Sequence, residues 1–210
     1  MNPQNKKLVI FDFDGVLVNT LDFAFSSYKE LNKDLTWEKF QDFSNGNFHE
    51  TVGSKMNDGF LVPEDKEWDE IYSEKIKDFT VIDILSNAIK ELSLHYLVTI
   101  VSSSTTKCIK DFLLKENLEK YFSDILGSDL HKSKIFKINN LLEKYNIKPS
   151  DTVFITDSLG DIKEGNVCGV KSIGVTWGIH PKETLEKGNP VTIISDPREL
   201  LECIKNVLPV

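Results

Sequence analysis

The sequence predicts an α/β protein: a mainly parallel sheet with helices on both faces, and a small all-helical segment inserted after the first strand. Three observations predict it. Leu8 to Phe11 is a short apolar run with the pattern of a strand buried on both faces, and it ends at two carboxylates, Asp12 and Asp14. From Ile82 onward, apolar runs of strand length alternate with stretches of helical periodicity, the signature of right-handed crossovers between parallel strands. Between Thr20 and about Thr80 no strand pattern occurs, which leaves an insert of roughly 60 residues whose only regular elements are helices. The expected division is a core of residues 1–19 and 81–210 with a helical cap at residues 20–80.

Each element has a local reason. After the first strand, Gly15 allows the backbone a sharp turn. Leu21 to Leu35 reads as a helix with Phe23, Tyr28 and Leu31 among its apolar positions, and Thr36 is the N-cap of a second helix carrying Trp37 and Phe40. Asn45 to Asn57 is rich in Gly, Asn and Ser and reads as loop broken by a short helical turn. Pro63 suits a helix N-terminus, and Trp68, Ile71, Tyr72, Ile76 and Phe79 follow at helical spacing, as residues for interior packing. In the second half, a helix from Ile82 leads to the strand Leu97–Val101, and a helix with Ile109, Phe112 and Leu113 leads to a short strand Asp124–Leu126. Ser133 caps a helix whose Ile135, Ile138, Leu141, Leu142 and Tyr145 share a face. Thr152–Thr156 is a strand, Asp161–Cys168 a short helix stopped by Gly169, Ser172–Thr176 and Val191–Ile194 two more strands, and Arg198–Val207 the last helix.

Composition narrows the function classes. The 210 residues are 40% hydrophobic and 28% charged, enough for one full core. A net charge of −8 argues against a broad nucleic-acid or anionic-membrane surface. Arg198 is the only arginine, so an anionic substrate would meet lysine, backbone N–H groups and metal rather than bidentate arginine clamps. Three cysteines, Cys108, Cys168 and Cys203, with no CxxC pair, point to reduced cytosolic thiols. No apolar run approaches the ~20 residues of a membrane span, and no signal peptide is legible. A cytoplasmic protein, monomeric or weakly dimeric, is expected.

In a parallel sheet the carboxyl ends of the strands open onto one edge, where ligands bind. Four strand ends or following loops here carry polar residues: Asp12 and Asp14, Ser102 to Ser104, Lys132 to Lys134, and Asp157 with Asp161. Singly, each has a plain explanation as turn acid, helix cap or solvated charge. Together they suit phosphoryl chemistry. Magnesium takes carboxylate and carbonyl oxygens and keeps several waters, and Asp12, Asp157 and the Asp14 carbonyl are candidate ligands, with Asp161 binding the metal or holding its shell. One carboxylate attacks phosphorus to give an aspartyl-phosphate, and its neighbour acts as acid and then base. Ser102 and nearby N–H groups suit a phosphate, and the lysine neutralises developing charge.

FDFDGVLVNT, the serine ending LVTIVSS, a downstream lysine and FITDSLGD resemble, in order, the four motifs of the haloacid dehalogenase-like hydrolase superfamily. The tail IGVTWGIHPKETLEKGNPVTIISDPRELL is similar to the end of its phosphoglycolate phosphatase and β-phosphoglucomutase branch. The resemblance implies a Rossmann-like core with a helical cap of the four-helix type, Asp12 as nucleophile, Asp14 as general acid/base, Ser102 and Ser103 at the phosphate, and Mg2+ on Asp12, Asp14, Asp157 and Asp161. It implies a magnesium-dependent phosphatase acting on a small phosphorylated metabolite. The alternatives are a β-phosphoglucomutase-like phosphotransferase and a non-catalytic phosphate-metabolite-binding protein. Two departures stand out. His131-Lys132-Ser133-Lys134 lacks the prolines of the Lys-Pro-x-Pro loop, which favours Lys134 as the catalytic lysine with Lys132 as the alternative. Thr156 stands where an acid commonly precedes the fourth-motif aspartate, which shifts weight to Asp161. The segment Asn45 to His49 is the candidate specificity loop, with hinges expected near Val18–Leu21 and Thr80–Asp83.

Overall fold

The computed structural model describes residues 7–62 and 65–209. The chain runs β1 (Leu8–Phe11), α1 (Leu21–Leu31), α2 (Trp37–Asp42), α3 (Phe48–Asn57) and α4 (Asp65–Lys75), then α5 (Asp83–His95), β2 (Leu97–Val101), α6 (Thr106–Lys115) and β3 (Asp124–Leu126). It continues through α7 (Lys134–Tyr145), β4 (Thr152–Thr156), α8 (Leu159–Val167), β5 (Lys171–Val175), α9 (Lys182–Leu185), β6 (Thr192–Ile194) and α10 (Leu200–Val207). All six strands join one sheet in the order β3-β2-β1-β4-β5-β6, and every pair is parallel. The strand order reverses at β1. β2 and β3 lie on one side of it and β4 to β6 on the other, so the crevice beyond the ends of β1 and β4 is the topological switch point.

Strand alternation sets the two faces. Val9 and Phe11 point into a large apolar layer with Leu85, Ile89 and Leu92 of α5, Ile109 and Phe112 of α6, and Leu200 and Ile204 of α10. Leu8 and Ile10 point the other way, onto Ile138, Leu141 and Leu142 of α7, with Ile135 and Tyr145 at the margin. β1 is fully buried because both faces are covered, which is why it reads as an unbroken apolar run.

Residues between β1 and α5 contain helices, turns and one isolated bridge between Asp14 and Val18, and no strand, among those described. They build their own apolar cluster from Tyr28, Leu35, Phe40, Phe43 and Val52, and Ile179 of the core packs into it. Several boundaries differ from the sequence reading. α1 ends at Leu31, four residues early, because the Asn32 side chain turns back on Tyr28 O (2.9 Å) and bridges to the N–H and carbonyl of Leu61. The Asn45–Asn57 stretch is chiefly the ten-residue helix α3. Asn47 is its N-cap, accepting from the Glu50 N–H at 3.1 Å, so a composition read as loop is that of a cap. Thr36 caps α2 as expected, and Ser133 caps α7. α8 begins two residues earlier than expected, on the Ser158 cap, and the first turn of the last helix is 3-10. Pro63 lies outside the described residues. Ile71 is exposed rather than interior.

Ile10 is fully buried at the centre of the sheet, whereas Leu94 is 67% exposed. Ile10→Ala is expected to cost about 2–5 kcal/mol in urea unfolding and Leu94→Ala less than ~0.5 kcal/mol.

Candidate active site

The site is built where β1 and β4 end side by side. Phe11 pairs with Ile155, and the ladder continues one step through Asp12 N–H to Ile155 O at 2.9 Å. This last bond fixes the backbone of Asp12 at the mouth of the switch point. Its carboxylate accepts the Phe13 N–H at 2.7 Å through Oδ1 and meets Lys134 Nζ at 2.7 Å through Oδ2. Lys134 Nζ also reaches Asp161 Oδ2 at 2.6 Å, and the Thr156 hydroxyl donates to that same oxygen at 2.7 Å. Lys134 is the first residue of α7. Its placement is fixed by the Ser133 cap and by Glu164 Oε1, which accepts the N–H of Lys134 at 3.1 Å.

Asp161 sits in the first turn of α8, where its N–H donates to the Ser158 cap at 3.2 Å. Asp157 Oδ2 accepts the Ile179 N–H at 2.7 Å. Two glycines make room for that carboxylate. A Cβ on Gly15, whose φ is +75°, would fall 2.0 Å from Asp157 Oδ2, and one on Gly178 would fall 2.2 Å from it. Gly15 thus answers both a backbone demand and a clearance demand. Asp14 does not join this cluster through its side chain. Its carboxylate accepts the hydroxyls of Thr20 (2.6 Å), Ser104 (2.7 Å) and Tyr72.

The electrostatics are unbalanced. Asp12, Asp157 and Asp161 are all buried, and among the described residues the one ammonium bonded to this set is Lys134, itself buried and paired with Asp12 and Asp161. Burial raises the Asp12 carboxyl well above the usual range, against the pull of Lys134. Burial pushes Asp157 up to about 7. Burial also acts on Asp161, but Lys134 and the hydrogen bonds to it outweigh that effect and hold it below the ordinary value. Lys134 is disfavoured by burial, yet Asp12 and Asp161 together keep it firmly protonated. Three buried acids and one buried base leave a deficit of positive charge, in an all-oxygen donor set that a hard divalent cation fits. Among the described residues no three His, Cys, Asp or Glu side chains form a ready-made metal cage.

Of the two candidate lysines, Lys134 is in the cluster, while Lys132 is exposed and lines a neighbouring cavity. Ser103 lines the cavity above Asp12, but Ser102 lies behind it, 0% exposed. The reason is the ladder: Ser102 N–H is still paired with Leu126 O at 3.0 Å, and the Ser102 hydroxyl accepts the Ser104 N–H. Three positions carried no sequence signal for the site. Tyr72 was indistinguishable from a core aromatic, Gly178 from a loop glycine, and Lys137 from a solvated lysine. Lys137 is fully buried, donates to Ser102 O at 2.5 Å, and is lowered to about 8 by burial, so it anchors the turn that carries Ser103 and Ser104.

The helical segment closes over these groups. Gln41 donates to Ile179 O, Lys163 Nζ to Asn45 O (2.9 Å), and Asn47 to Glu164 (3.1 Å). Leu159 N–H donates to His180 Nδ1, so the ring's other nitrogen, Nε2, carries the hydrogen that bonds Gln41 O at 3.0 Å. Gly160 packs so tightly on Gly46 O that a Cβ would lie 2.1 Å from it. The cavity between segment and core is about 140 Å³, with Asp12, Asp14, Lys134, Asp157 and Asp161 among its lining acids and base and Tyr28, Phe40, Phe48, Trp68 and Tyr72 among its rings. Within the candidate specificity segment, Gly46 and Phe48 line this cavity, and Asn45 and Asn47 dock onto the core.

Comparison with known proteins places the chain in a family. The chain is 23% identical over 224 residues to a phosphoglycolate phosphatase of Vibrio parahaemolyticus, covering 97% of this chain and 98% of that one. A haloacid dehalogenase-like family hydrolase from Streptococcus pneumoniae shares the fold at a TM-score of 0.74 and 18% identity, over 97% of this chain and 100% of the other. A hydrolase from Pseudomonas syringae does so at 0.79 and 14%, over 96% and 99%. The family model for haloacid dehalogenase-like hydrolases matches residues 9–175, a span that holds Asp12, Asp14, Lys134, Asp157 and Asp161, and the chain belongs to that family.

Proposed function

We propose that the protein is a magnesium-dependent phosphatase that hydrolyses a small-molecule phosphomonoester through an aspartyl-phosphate on Asp12. The observation that carries this reading is the Asp12 carboxylate, held by the Phe13 N–H and Lys134 in the wall of a cavity between the helical segment and the core, with the hydroxyl-bound Asp14 lining the same cavity. Asp12 attacks phosphorus. The bond from phosphorus to the ester oxygen breaks, and Asp14 delivers a proton to the departing oxygen. Asp14 then takes a proton from water as that water attacks phosphorus, which frees phosphate and regenerates Asp12. The hydroxyls of Thr20, Ser104 and Tyr72 orient Asp14 for both transfers.

Lys134 offsets charge on the nucleophile, and Ser103 with the N–H groups before α6 faces the phosphoryl oxygens. Mg2+, when bound, adds positive charge at the transferring phosphoryl group. Asp12, Asp157 and the Asp14 main-chain carbonyl would hold it, with Asp161 binding or positioning its shell. Residues 20–80 act as a cap that excludes water during the first step. The protein is expected to work in the cytoplasm on a soluble metabolite, without nucleic acid or membrane. No helix among the described residues is long and apolar enough to cross a membrane.

Asp12→Asn is expected to reduce Mg2+-dependent phosphate release at least about a thousandfold, and EDTA to abolish it reversibly, in a steady-state phosphate assay. Turnover that survives both treatments would refute the mechanism. A second expectation concerns stability without metal. A carboxyl that titrates near 7 when folded and near 3.8 when unfolded binds its proton more readily in the folded state. Metal-free stability therefore falls as pH rises from about 4 through 7. Asp157→Asn removes that charge while keeping an oxygen for the Ile179 N–H. In EDTA it should raise the thermal midpoint at pH 8 by about 2–4 °C, and less at pH 5, while activity is lost.

A further inference from the structure

The cavity over Asp12 is one of two that meet. A second cavity of about 710 Å³ shares Tyr28, Phe48, Trp68, Tyr72, Ser103 and Ser104 with it, so four aromatic rings and two serines form a neck between them. Those rings are packed against one another: Tyr28 lies 5.6 Å from Trp68 and 6.3 Å from Phe48, and Trp68 lies 6.0 Å from Tyr72. They are braced from outside the neck by Phe23, stacked on Trp68 at 5.7 Å. Packed together, the rings form a rigid apolar wall shared by both cavities, a surface suited to contact with a flat apolar group.

The charges lining the inner cavity say what cannot pass easily. Among the described residues its one basic side chain is Lys134, already ion-paired to Asp12 and Asp161. Four carboxylates line the same space. Mg2+ and Lys134 both serve the transferring phosphate, so a second anionic group beside it, whether a carboxylate or another phosphate, would lie among acids and ring faces with no further basic side chain among the described residues to meet it. In the outer cavity Lys132 is accompanied by Asp129, so that chamber offers no net positive field near the neck.

Building on the phosphatase reading, we propose that the substrate is a phosphomonoester with an uncharged aromatic or similarly flat apolar leaving group. The phosphate sits on Asp12, the ring lies in the neck, and any further extension reaches the outer cavity. This departs from phosphoglycolate, the substrate in the name of the Vibrio relative, whose carboxylate lies two bonds from the ester oxygen.

The test uses the full chain with MgCl2 and three alkyl phosphates of similar leaving-group chemistry: benzyl phosphate, methyl phosphate and 2-phosphoglycolate. Phosphate release should give a kcat/KM for benzyl phosphate at least about tenfold above each of the others. Trp68→Ala and the milder Trp68→Leu should both shrink the benzyl-to-methyl ratio, chiefly through KM for the benzyl ester. Two-phosphoglycolate turned over as well as benzyl phosphate, with turnover still dependent on Asp12, would overturn the substrate class and leave the phosphatase standing. A ratio unmoved by both Trp68 variants would overturn the role of the neck. No Asp12-dependent release from any of the three would sink the phosphatase reading and this inference with it.

Discussion

The structure turns on one buried ammonium. Lys134 Nζ bridges Asp12 at the end of β1 and Asp161 at the start of α8, which ties the central strand to elements reached more than 120 residues later. Such a bridge is costly to bury unless every partner is satisfied. Here the satisfaction is extensive: the Phe13 N–H on Asp12, the Thr156 hydroxyl on Asp161, and Glu164 on the helix end that carries the lysine. Yet the charges do not sum to zero. Asp157 is left beside the pair with a raised proton affinity and with space cleared for it by Gly15 and Gly178. A protein selected for stability alone would fill that space with apolar atoms. That raised proton affinity, a carboxylate short of positive charge, is the physical reason to expect a divalent cation in the same place.

The helical segment contributes in two ways. It closes the space, through backbone contacts such as Gly46 on Gly160 and side-chain bonds such as Asn47 to Glu164. It also reaches the acidic cluster's neighbour, because the Tyr72 hydroxyl on α4 donates to the carboxylate of Asp14. Glu164 belongs to both networks, receiving Asn47 from the segment and the Lys134 N–H from the core. Displacement of the segment would therefore disturb the lysine's helix end and the orientation of Asp14 together. The segment and the acidic cluster are thus linked by shared side chains.

Much of this was legible in the sequence, for reasons that differ by residue. The core strands were legible because parallel strands buried on both faces are short continuous apolar runs, and Leu97–Val101, Asp124–Leu126 and Thr152–Thr156 fall where that pattern placed them. The strand-end acids were legible because polar residues at successive strand ends converge by topology alone. The choice between Lys132 and Lys134 needed the N-cap at Ser133, which aims the first helical residue inward. What stayed hidden depends on long-range packing. Asn47 as a helix cap resembled loop composition, and Tyr72 had the spacing of a core aromatic. Ser102 was hidden behind its neighbours because the strand ladder runs one residue further than its apolar run suggests.

The account rests on a charge deficit that one divalent ion fills. Calorimetric titration of Mg2+ into the metal-free protein tests that most directly. One ion should bind per chain, and the heat should vanish in the Asp12→Asn, Asp157→Asn double variant. Absence of saturable binding in the unaltered protein, or binding that the double variant keeps, would contradict it.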